Sequence, residues 1–272
     1  MNLTREPESY PRPQNVPAWL GRKVIFLARG MGRALMLLAS AVRTIFPHAF
    51  TVRARREIGN QMYIGGIMSL GVVTVVALFT GMILALQTGI ELRRFGQEVF
   101  IGSAVMMSML REMGPFMSGI ILAASVGASI AAQMGTMVVS EEIAALEVMS
   151  ISPVRFLVMP RLVAMAIMTP LLSLYGCLMG VLGGGIVGET QLGVAWAAYI
   201  QNSTRFVGVK DVYVGMLKAF VFGIIIVIVA CHEGFGTTNG AVGVGNSTRR
   251  SVVISFLAIL ISGFFITRFF YV

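Results

Sequence analysis

The sequence predicts an all-α membrane protein with an N-terminal interfacial amphipathic helix and five transmembrane helices. Of its 272 residues, 56% are hydrophobic and only 12% are charged, whereas soluble proteins carry about 25% charged residues. Five apolar stretches reach the roughly 20 residues that a helix needs to cross a bilayer. A single membrane domain accounts for these features, because the apolar stretches leave no room for a large soluble core.

The first 56 residues are polar and basic. Residues 1–17 are rich in proline and polar side chains, which predicts a disordered tail. Residues 18–56 predict an interfacial helix and its linker, since Arg29 and Arg33 lie opposite Leu35 at helical spacing. A signal peptide is the rival interpretation, but the arginines would interrupt its apolar stretch. The positive charge suits an anionic lipid surface, and the membrane context excludes nucleic acid as the partner.

Residues 57–272 are predicted to form the five-span domain. An apolar stretch at 99–110 precedes the second span, so this helix is expected to project beyond the bilayer or to bend at Gly114-Pro115. Because the number of spans is odd, the two termini lie on opposite sides. Arginines before the first span predict a cytoplasmic N-terminus; they are Arg43, Arg53, Arg55 and Arg56. The spans are expected at about 62–87, 113–138, 162–188, 212–232 and 251–271.

Small residues recur at four-residue spacing within the spans. Faces of this kind allow helix backbones to approach each other closely in lipid. They predict a compact bundle, and the alternative that some of these faces form a homodimer seam stays open. The glycines expected to pack helices together are Gly119, Gly127, Gly135, Gly176, Gly180, Gly184 and Gly188.

Three charged residues lie within or beside the predicted spans. Arg111 and Glu112 stand at the outer end of the second span, and Lys218 lies about two turns into the fourth. Charges at such depth are costly unless they are paired, reach the interface or face a polar cavity. Arg111 and Glu112 could neutralise each other while Lys218 extends to the surface. Alternatively, all three line a path for a molecule with a charged head and an apolar body.

No catalytic or metal-binding pattern is recognisable in the sequence. The loop GAVGVGNS has the glycine spacing of a P-loop, but Asn246 stands in place of the lysine. Paired carboxylates, a nucleophile arrangement and a histidine cluster are absent, so neither a membrane-embedded lipid enzyme nor a cofactor in this chain is expected. The energy for transport must then come from a partner or an ion gradient. A gradient-driven secondary transporter of an amphiphile is the alternative function.

The segment SEEIAALEVMSISP lies between two apolar stretches and contains three glutamates. Ser140 is expected to cap a helix of about residues 140–150, with Glu141 and Glu142 in its first turn and Pro153 limiting its extent. About ten residues cannot cross a bilayer. A short helix that is apolar on most sides yet acidic suits a protein groove. It is expected either to dock into a motor subunit or to fold against its own bundle.

Two stretches of the sequence resemble a known family. The stretch REMGPFMSGIILAASVGASIAAQMGTMVVSEEIAALEVMSISPVRFLVMPRLVA, residues 111–164, resembles the signature region of the MlaE permease family, the membrane subunits of phospholipid ABC transporters. The loop GFGTTNGAVGVGNSTRRSVV, residues 234–253, resembles the second signature of that family. With the basic helix and the five spans, the resemblance covers nearly everything after residue 17.

The resemblance implies a homodimeric permease of the bacterial inner membrane that moves phospholipid to or from a periplasmic MCE-domain protein. Members of the family work with a cytoplasmic ABC ATPase, which holds ATP and Mg²⁺, and often with a STAS-domain regulator. Arg111, Glu112 and Lys218 would lie by the lipid cavity. The helix after Ser140 would contact the ATPase through Glu141, Glu142, Leu146, Glu147 and Met149.

Four positions depart from the family pattern. The family often has an arginine at the position of Ser125 and an acidic residue at that of Gln133. It often has a polar or acidic residue at the position of Ala144 and an aspartate at that of Ser152. These differences concern the ATPase contacts and their regulation rather than the expected fold.

Overall fold

In a computed structural model, the protein is described over residues 30–44 and 52–271, excepting the side chain of Arg53. All regular elements within these residues are helical, which confirms the predicted all-α class. The α-helices are α1 (residues 30–44), α2 (Val52–Gly65), α3 (Leu70–Arg94), α4 (Ile101–Ser108), α5 (Gly114–Leu122), α6 (Ala128–Val139), α7 (Glu142–Val148), α8 (Met159–Thr190), α9 (Trp196–Arg205), α10 (Val209–Phe235) and α11 (Gly240–Tyr271).

Within the described residues, five helical stretches are long and apolar enough to cross a membrane, as predicted. Each extends past at least one of its predicted bounds because the flanking residues continue the helix. The short helix α7 connects the second and third spans, and α9 connects the third and fourth, so these helices mark opposite ends of the bundle. We call them the α7 end and the α9 end. The spans are Ala54–Arg94, Glu98–Val139, Val154–Thr190, Val209–Phe235 and Gly240–Tyr271.

The third and fourth spans form the centre of the bundle. Their apolar windows are 50% and 61% buried, whereas those of the first and fifth spans are only 22% and 17% buried. Helix α8 packs on both α3 and α10. A Cβ atom at Gly81 of α3 would overlap the backbone of Gly180. On α8, a Cβ atom at Gly183 would overlap the backbone of Leu78, so this contact requires glycine on both helices. The outer faces of the first and fifth spans are left for lipid or another protein.

The second span is one helix of 42 residues. At 1.5 Å per residue it is about 63 Å long, roughly twice the thickness of the bilayer core, so the predicted projection beyond the bilayer agrees with its length. Two π-helical segments, Met109–Met113 and Ala123–Gly127, interrupt its α-helical pattern. The first lies directly before Pro115, which has no backbone N–H to donate. The helix therefore continues through Gly114-Pro115, with a π-helical segment before the proline instead of a break.

Two further helices lie beside the bundle. Helix α1 buries Leu37 and Ala41 against the core and exposes Leu35. The predicted tail and the first part of the interfacial helix lie outside the described residues, and its orientation in the membrane stays a prediction. Helix α9 is not among the predicted elements, because it lies in the connection between the expected spans 162–188 and 212–232. The buried Tyr199 fixes α9 by donating a hydrogen bond to the Val181 backbone oxygen at 3.1 Å, and burial raises the pKa of its phenol.

Candidate functional site

A first cluster of polar groups joins the second, fourth and fifth spans near the α9 end. Lys218 Nζ donates hydrogen bonds to Glu112 Oε1 at 2.7 Å and to the Arg111 backbone oxygen at 2.6 Å. Thr267 Oγ1 donates to the same Glu112 oxygen at 2.7 Å. Only 1% of the Lys218 side chain is exposed. Its charge therefore depends on these partners, since an unpaired buried ammonium is strongly unfavourable.

A second cluster lies beside the first, at the beginning of α10. Arg111 Nε donates to Asp211 Oδ1 at 2.7 Å, and the hydroxyl of Tyr271 donates to the same oxygen at 2.9 Å. The Arg111 guanidinium also lies over the Tyr271 ring, 4.7 Å from its centroid. The backbone N–H of Gly208 donates to Asp211 Oδ2 at 3.0 Å. Both carboxylate oxygens of Asp211 are therefore occupied.

The local sequence explains why these groups meet. Pro115 has no N–H, so the carbonyl of Arg111, four residues earlier, lacks its usual helical donor. Lys218 supplies that donor from the neighbouring span. Asp211 lies in the first turn of α10, where a carboxylate that binds the backbone N–H of Gly208 at the N-cap stabilises the helix start. That contact also holds Asp211 beside Arg111.

A cavity of about 350 Å³ opens beside the first cluster. Glu112, Lys218 and Thr267 form its polar end, and the remaining lining is largely apolar. Pockets that bind small amphipathic molecules typically combine a few polar groups with apolar walls. The apolar lining includes Met113, Phe116, Phe222, Ile259, Leu260 and Phe264.

The pairing differs from one prediction. Arg111 and Glu112 do not neutralise each other, because Arg111 pairs with Asp211 and Glu112 pairs with Lys218. Nor does Lys218 reach the surface, since its side chain is buried. The reason is that a backbone carbonyl and a carboxylate of the second span already satisfy the ammonium inside the bundle. Sequence reasoning missed Asp211, Thr267 and Tyr271.

Helix α7 lies at the other end of the bundle and has seven residues. The prediction that Ser140 caps this helix is wrong: the hydroxyl of Ser140 donates to the Thr136 backbone oxygen at 3.0 Å, because α6 continues to Val139. Glu141 instead occupies the N-cap position, with a left-handed backbone at φ 61°. The chain therefore turns sharply between α6 and α7.

One face of α7 packs on the bundle and the other is open. Ile143 is buried and Leu146 is partly buried against the main core. Val148 and Met149 are 87% and 60% exposed. The three acidic residues predicted to contact an ATPase, Glu141, Glu142 and Glu147, are also exposed. The exposed face thus combines two large apolar side chains with three carboxylates.

The seven glycines predicted to pack helices lie at contacts with other elements. Gly119 and Gly127 face Phe222 and Ile226 of α10. The remaining contacts join Gly135 to Thr237, Gly176 to Val73 and Ala77, Gly180 to Met109 and Ala77, and both Gly184 and Gly188 to Tyr199. The contacts on α8 thus include both α3 and α9.

One position that departs from the family pattern makes a notable contact. The amide oxygen of Gln133 accepts a hydrogen bond from Arg161 Nη2 at 3.1 Å. Arg161 is buried and also donates to the Leu157 backbone oxygen at 2.7 Å. Arg161 has no carboxylate within ion-pair distance among the residues described. In the same residues, His, Cys, Asp and Glu side chains form no cluster of three that could hold a metal ion.

Comparisons with known proteins identify the family. The sequence profile described as "Permease MlaE" matches residues 58–269. A probable ABC transporter permease protein of Rickettsia conorii is 38% identical over 94% of this chain and 98% of its own length. The intermembrane phospholipid transport system permease protein MlaE of Haemophilus influenzae is 31% identical over 91% of this chain and 94% of that protein.

A similarity over a smaller share of the chain extends to a plant protein. The chloroplastic protein trigalactosyldiacylglycerol 1 of Arabidopsis thaliana is 33% identical over 78% of this chain and 61% of its own length. The profile match includes all of α7 and, apart from Tyr271, both clusters at the α9 end. Together with the five apolar helices, these similarities establish a multi-pass membrane protein, and the chain belongs to the MlaE permease family.

Proposed function

We propose that two copies of this chain form the membrane part of an ABC transporter that moves phospholipid, with ATP and Mg²⁺ bound by a partner ATPase. The observation that carries the proposal is the cavity near the α9 end. Its charged end and aromatic walls match a charged headgroup joined to acyl chains. The names of the Rickettsia and Haemophilus relatives support the transporter class and the lipid, respectively.

The two ion pairs suggest how a headgroup binds and leaves. A lipid phosphate would compete with Glu112 for Lys218 and with Asp211 for Arg111. An amine in the headgroup would pair with the released carboxylates. Because one set of charge-assisted hydrogen bonds replaces another, the free energy of headgroup binding stays close to zero, and the lipid can both bind and leave. A path for lipid needs this reversibility.

Helix α7 is suited to receive motion from the ATPase. Its exposed Val148 and Met149 would enter a groove of the partner, with Glu141, Glu142 and Glu147 around them. Its other face reaches the main core through Ile143 and Leu146. A displacement of α7 would therefore be passed to the second and third spans.

The arginines before the first span support a cytoplasmic N-terminus in the bacterial inner membrane. In this orientation the α7 end meets the cytoplasmic ATPase and, in some assemblies, a STAS-domain regulator. The α9 end then faces a periplasmic MCE-domain protein. The weakly buried first and fifth spans supply the surfaces for a second copy of the chain.

The proposal is tested by purifying the tagged protein from its native host in mild detergent and identifying the proteins and lipids that accompany it by mass spectrometry. Glu142→Lys/Glu147→Lys should lose the ATPase and keep the phospholipid. A matched control is Glu91→Lys/Glu189→Lys, which makes the same charge change at exposed positions near the α9 end and should keep both.

A second pair of variants tests the cavity. Leu260→Trp places a large side chain in the cavity lining and should lower the bound phospholipid while the ATPase stays associated. Leu178→Trp lies at an exposed position of the third span, outside the lining, and should change neither. Purification without an ATPase, together with transport driven by an ion gradient alone, would favour the secondary transporter.

A further inference from the structure

A second and larger cavity, of about 900 Å³, lies at the α7 end. We call it the basic pocket. Helix α2 lines one side with Arg56, Glu57 and Asn60, and the segment after α7 lines the other with residues that include Ile151 and Arg155. The pocket is far from the cavity beside Lys218, and neither the predicted sites nor the proposed transport uses it.

Arg56 and Arg155 contribute two exposed guanidinium groups without partners. Within the described part of the chain, neither side chain makes a hydrogen bond or an ion pair. The one acidic residue in the lining, Glu57, already accepts a hydrogen bond from Gln61 at 2.9 Å. The pocket therefore keeps a net positive charge and free N–H donors, which suit an anion with several oxygens.

The segment after α7 adds an apolar wall to the pocket. The N–H groups of Ser150 and Ile151 bond back to the Glu147 and Leu146 oxygens, and Ser150 has a left-handed backbone, as at many helix ends. This turn brings Ile151 to the pocket, where Phe156 extends the apolar surface. Both side chains are partly exposed, at 39% and 48%.

The two arginines also lie at equivalent depths. Arg56 is at the beginning of the first span and Arg155 at the beginning of the third. Both spans begin at the α7 end, and the apolar stretches at 62–87 and 162–188 start about two helical turns after these arginines, which favours the headgroup level for both guanidinium groups. At this level a bilayer presents phosphate groups above acyl chains, and basic residues there attract anionic lipids.

We propose that the basic pocket binds the phosphate headgroup of an anionic phospholipid from the membrane leaflet at the α7 end. Arg56 and Arg155 hold the phosphate oxygens, Asn60 adds a polar contact, and Ile151 and Phe156 contact the upper part of the acyl chains. The lipid would touch the segment that leaves α7. The inference goes beyond the proposed transport and does not depend on it.

The proposal is tested on the full chain with a photoreactive benzoylphenylalanine in place of Phe156, irradiated in native membranes and in nanodiscs of phosphatidylcholine with phosphatidylglycerol. Mass spectrometry should find a phosphatidylglycerol adduct out of proportion to its share of the nanodisc lipid. Arg56→Gln and Arg155→Gln should each lower this adduct about ten-fold. Arg55→Gln, an exposed neighbour outside the lining, is the control and should leave it unchanged.

Three outcomes would overturn the proposal. An equal loss in Arg55→Gln would mean general attraction of anionic lipid rather than a site. Loss of the adduct in millimolar inorganic phosphate would assign the site to a free anion. In native membranes, an adduct with a protein instead of a lipid would assign the pocket to a partner subunit. Elution of each variant as a single species in gel filtration confirms that it folds.

Discussion

The two clusters at the α9 end and the basic pocket at the α7 end differ in how their charged groups are satisfied. Near the α9 end, Lys218 and Asp211 are buried, and each is bound by groups from another span. At the α7 end, Arg56 and Arg155 are exposed and have no partner among the described residues. A charge within the apolar layer must be satisfied by the protein, because water is absent there. A charge at the membrane surface can be left for a ligand or a neighbouring protein.

The buried charges should therefore contribute to the stability of the fold, and the exposed charges to the binding of partners. Removing one partner at the α9 end should destabilise the fold, whereas changes to the exposed groups at the α7 end should affect only binding. The free energy of unfolding in detergent distinguishes a loss of stability from a loss of binding.

The largest effect is expected from Glu112→Ala, because it leaves the buried Lys218 ammonium with only the Arg111 carbonyl. The loss should be about 3 kcal/mol, at the lower end of the range for buried pairs, since Glu112 itself is partly exposed. Thermal and denaturant unfolding followed by tryptophan fluorescence would measure it. The double variant Glu112→Ala/Lys218→Met should recover more than half of the loss; a loss equal to the sum of the two single variants would contradict the pairing.

A smaller effect is expected from Asp211→Asn. The change removes the carboxylate that receives bonds from Arg111 and Tyr271, and the loss should be about 2 kcal/mol in the same unfolding measurement. Tyr271→Phe keeps the ring beneath Arg111 but deletes one hydrogen bond, so about 1 kcal/mol should be lost. Equal losses in both variants would argue against Asp211 as the centre of the cluster.

At the α7 end, Gln133→Glu should stabilise the protein. It would give the buried Arg161 a carboxylate in place of an amide oxygen, for a gain of about 1 kcal/mol. The gain, read as a higher unfolding temperature, should disappear when Arg161→Gln is introduced in the same chain. If the gain persisted there, the new carboxylate would be acting on another group.

The smallest effects are expected from Val148→Ser and Arg56→Gln. Both positions are exposed, so each should change the free energy of unfolding by no more than about 0.5 kcal/mol. Val148→Ser should nevertheless weaken co-purification of the ATPase. A large loss of stability in either variant would show that the replaced side chain is part of the folded core.

The spans could be predicted from the sequence because hydropathy accumulates over about 20 neighbouring residues. The partners of Arg111 and Glu112 could not, since Asp211 lies 100 residues from Arg111 and Thr267 lies 155 residues from Glu112. Only the packing of three spans brings these side chains together. In the local sequence, Arg111 and Glu112 are adjacent and oppositely charged, so the sequence alone suggested that they pair with each other.

Two short sequence patterns, the serine before α7 and the spacing of residues in α9, were also misinterpreted because their outcome depends on the neighbouring elements. Ser140 follows a long helix, so its hydroxyl bonds to the Thr136 backbone oxygen and to the Glu142 carboxylate rather than capping a backbone N–H of α7. Helix α9 could have been found in the sequence, because Trp196, Tyr199 and Ser203 follow each other at intervals of one helical turn, and the last two are buried. This spacing is short and lies in a segment of mixed polarity, which favoured the interpretation as a loop.

The π-helical segments of the second span have a consequence for sequence change in evolution. Each π turn accommodates one residue more than an α-helix would at the same place. A single-residue deletion within Met109–Met113 or Ala123–Gly127 can therefore be absorbed by conversion to α-helix, with the faces on both sides kept in register. The same deletion within α6 would turn Gly135 away from Thr237. These two short segments are where this span can lose a residue and still pack.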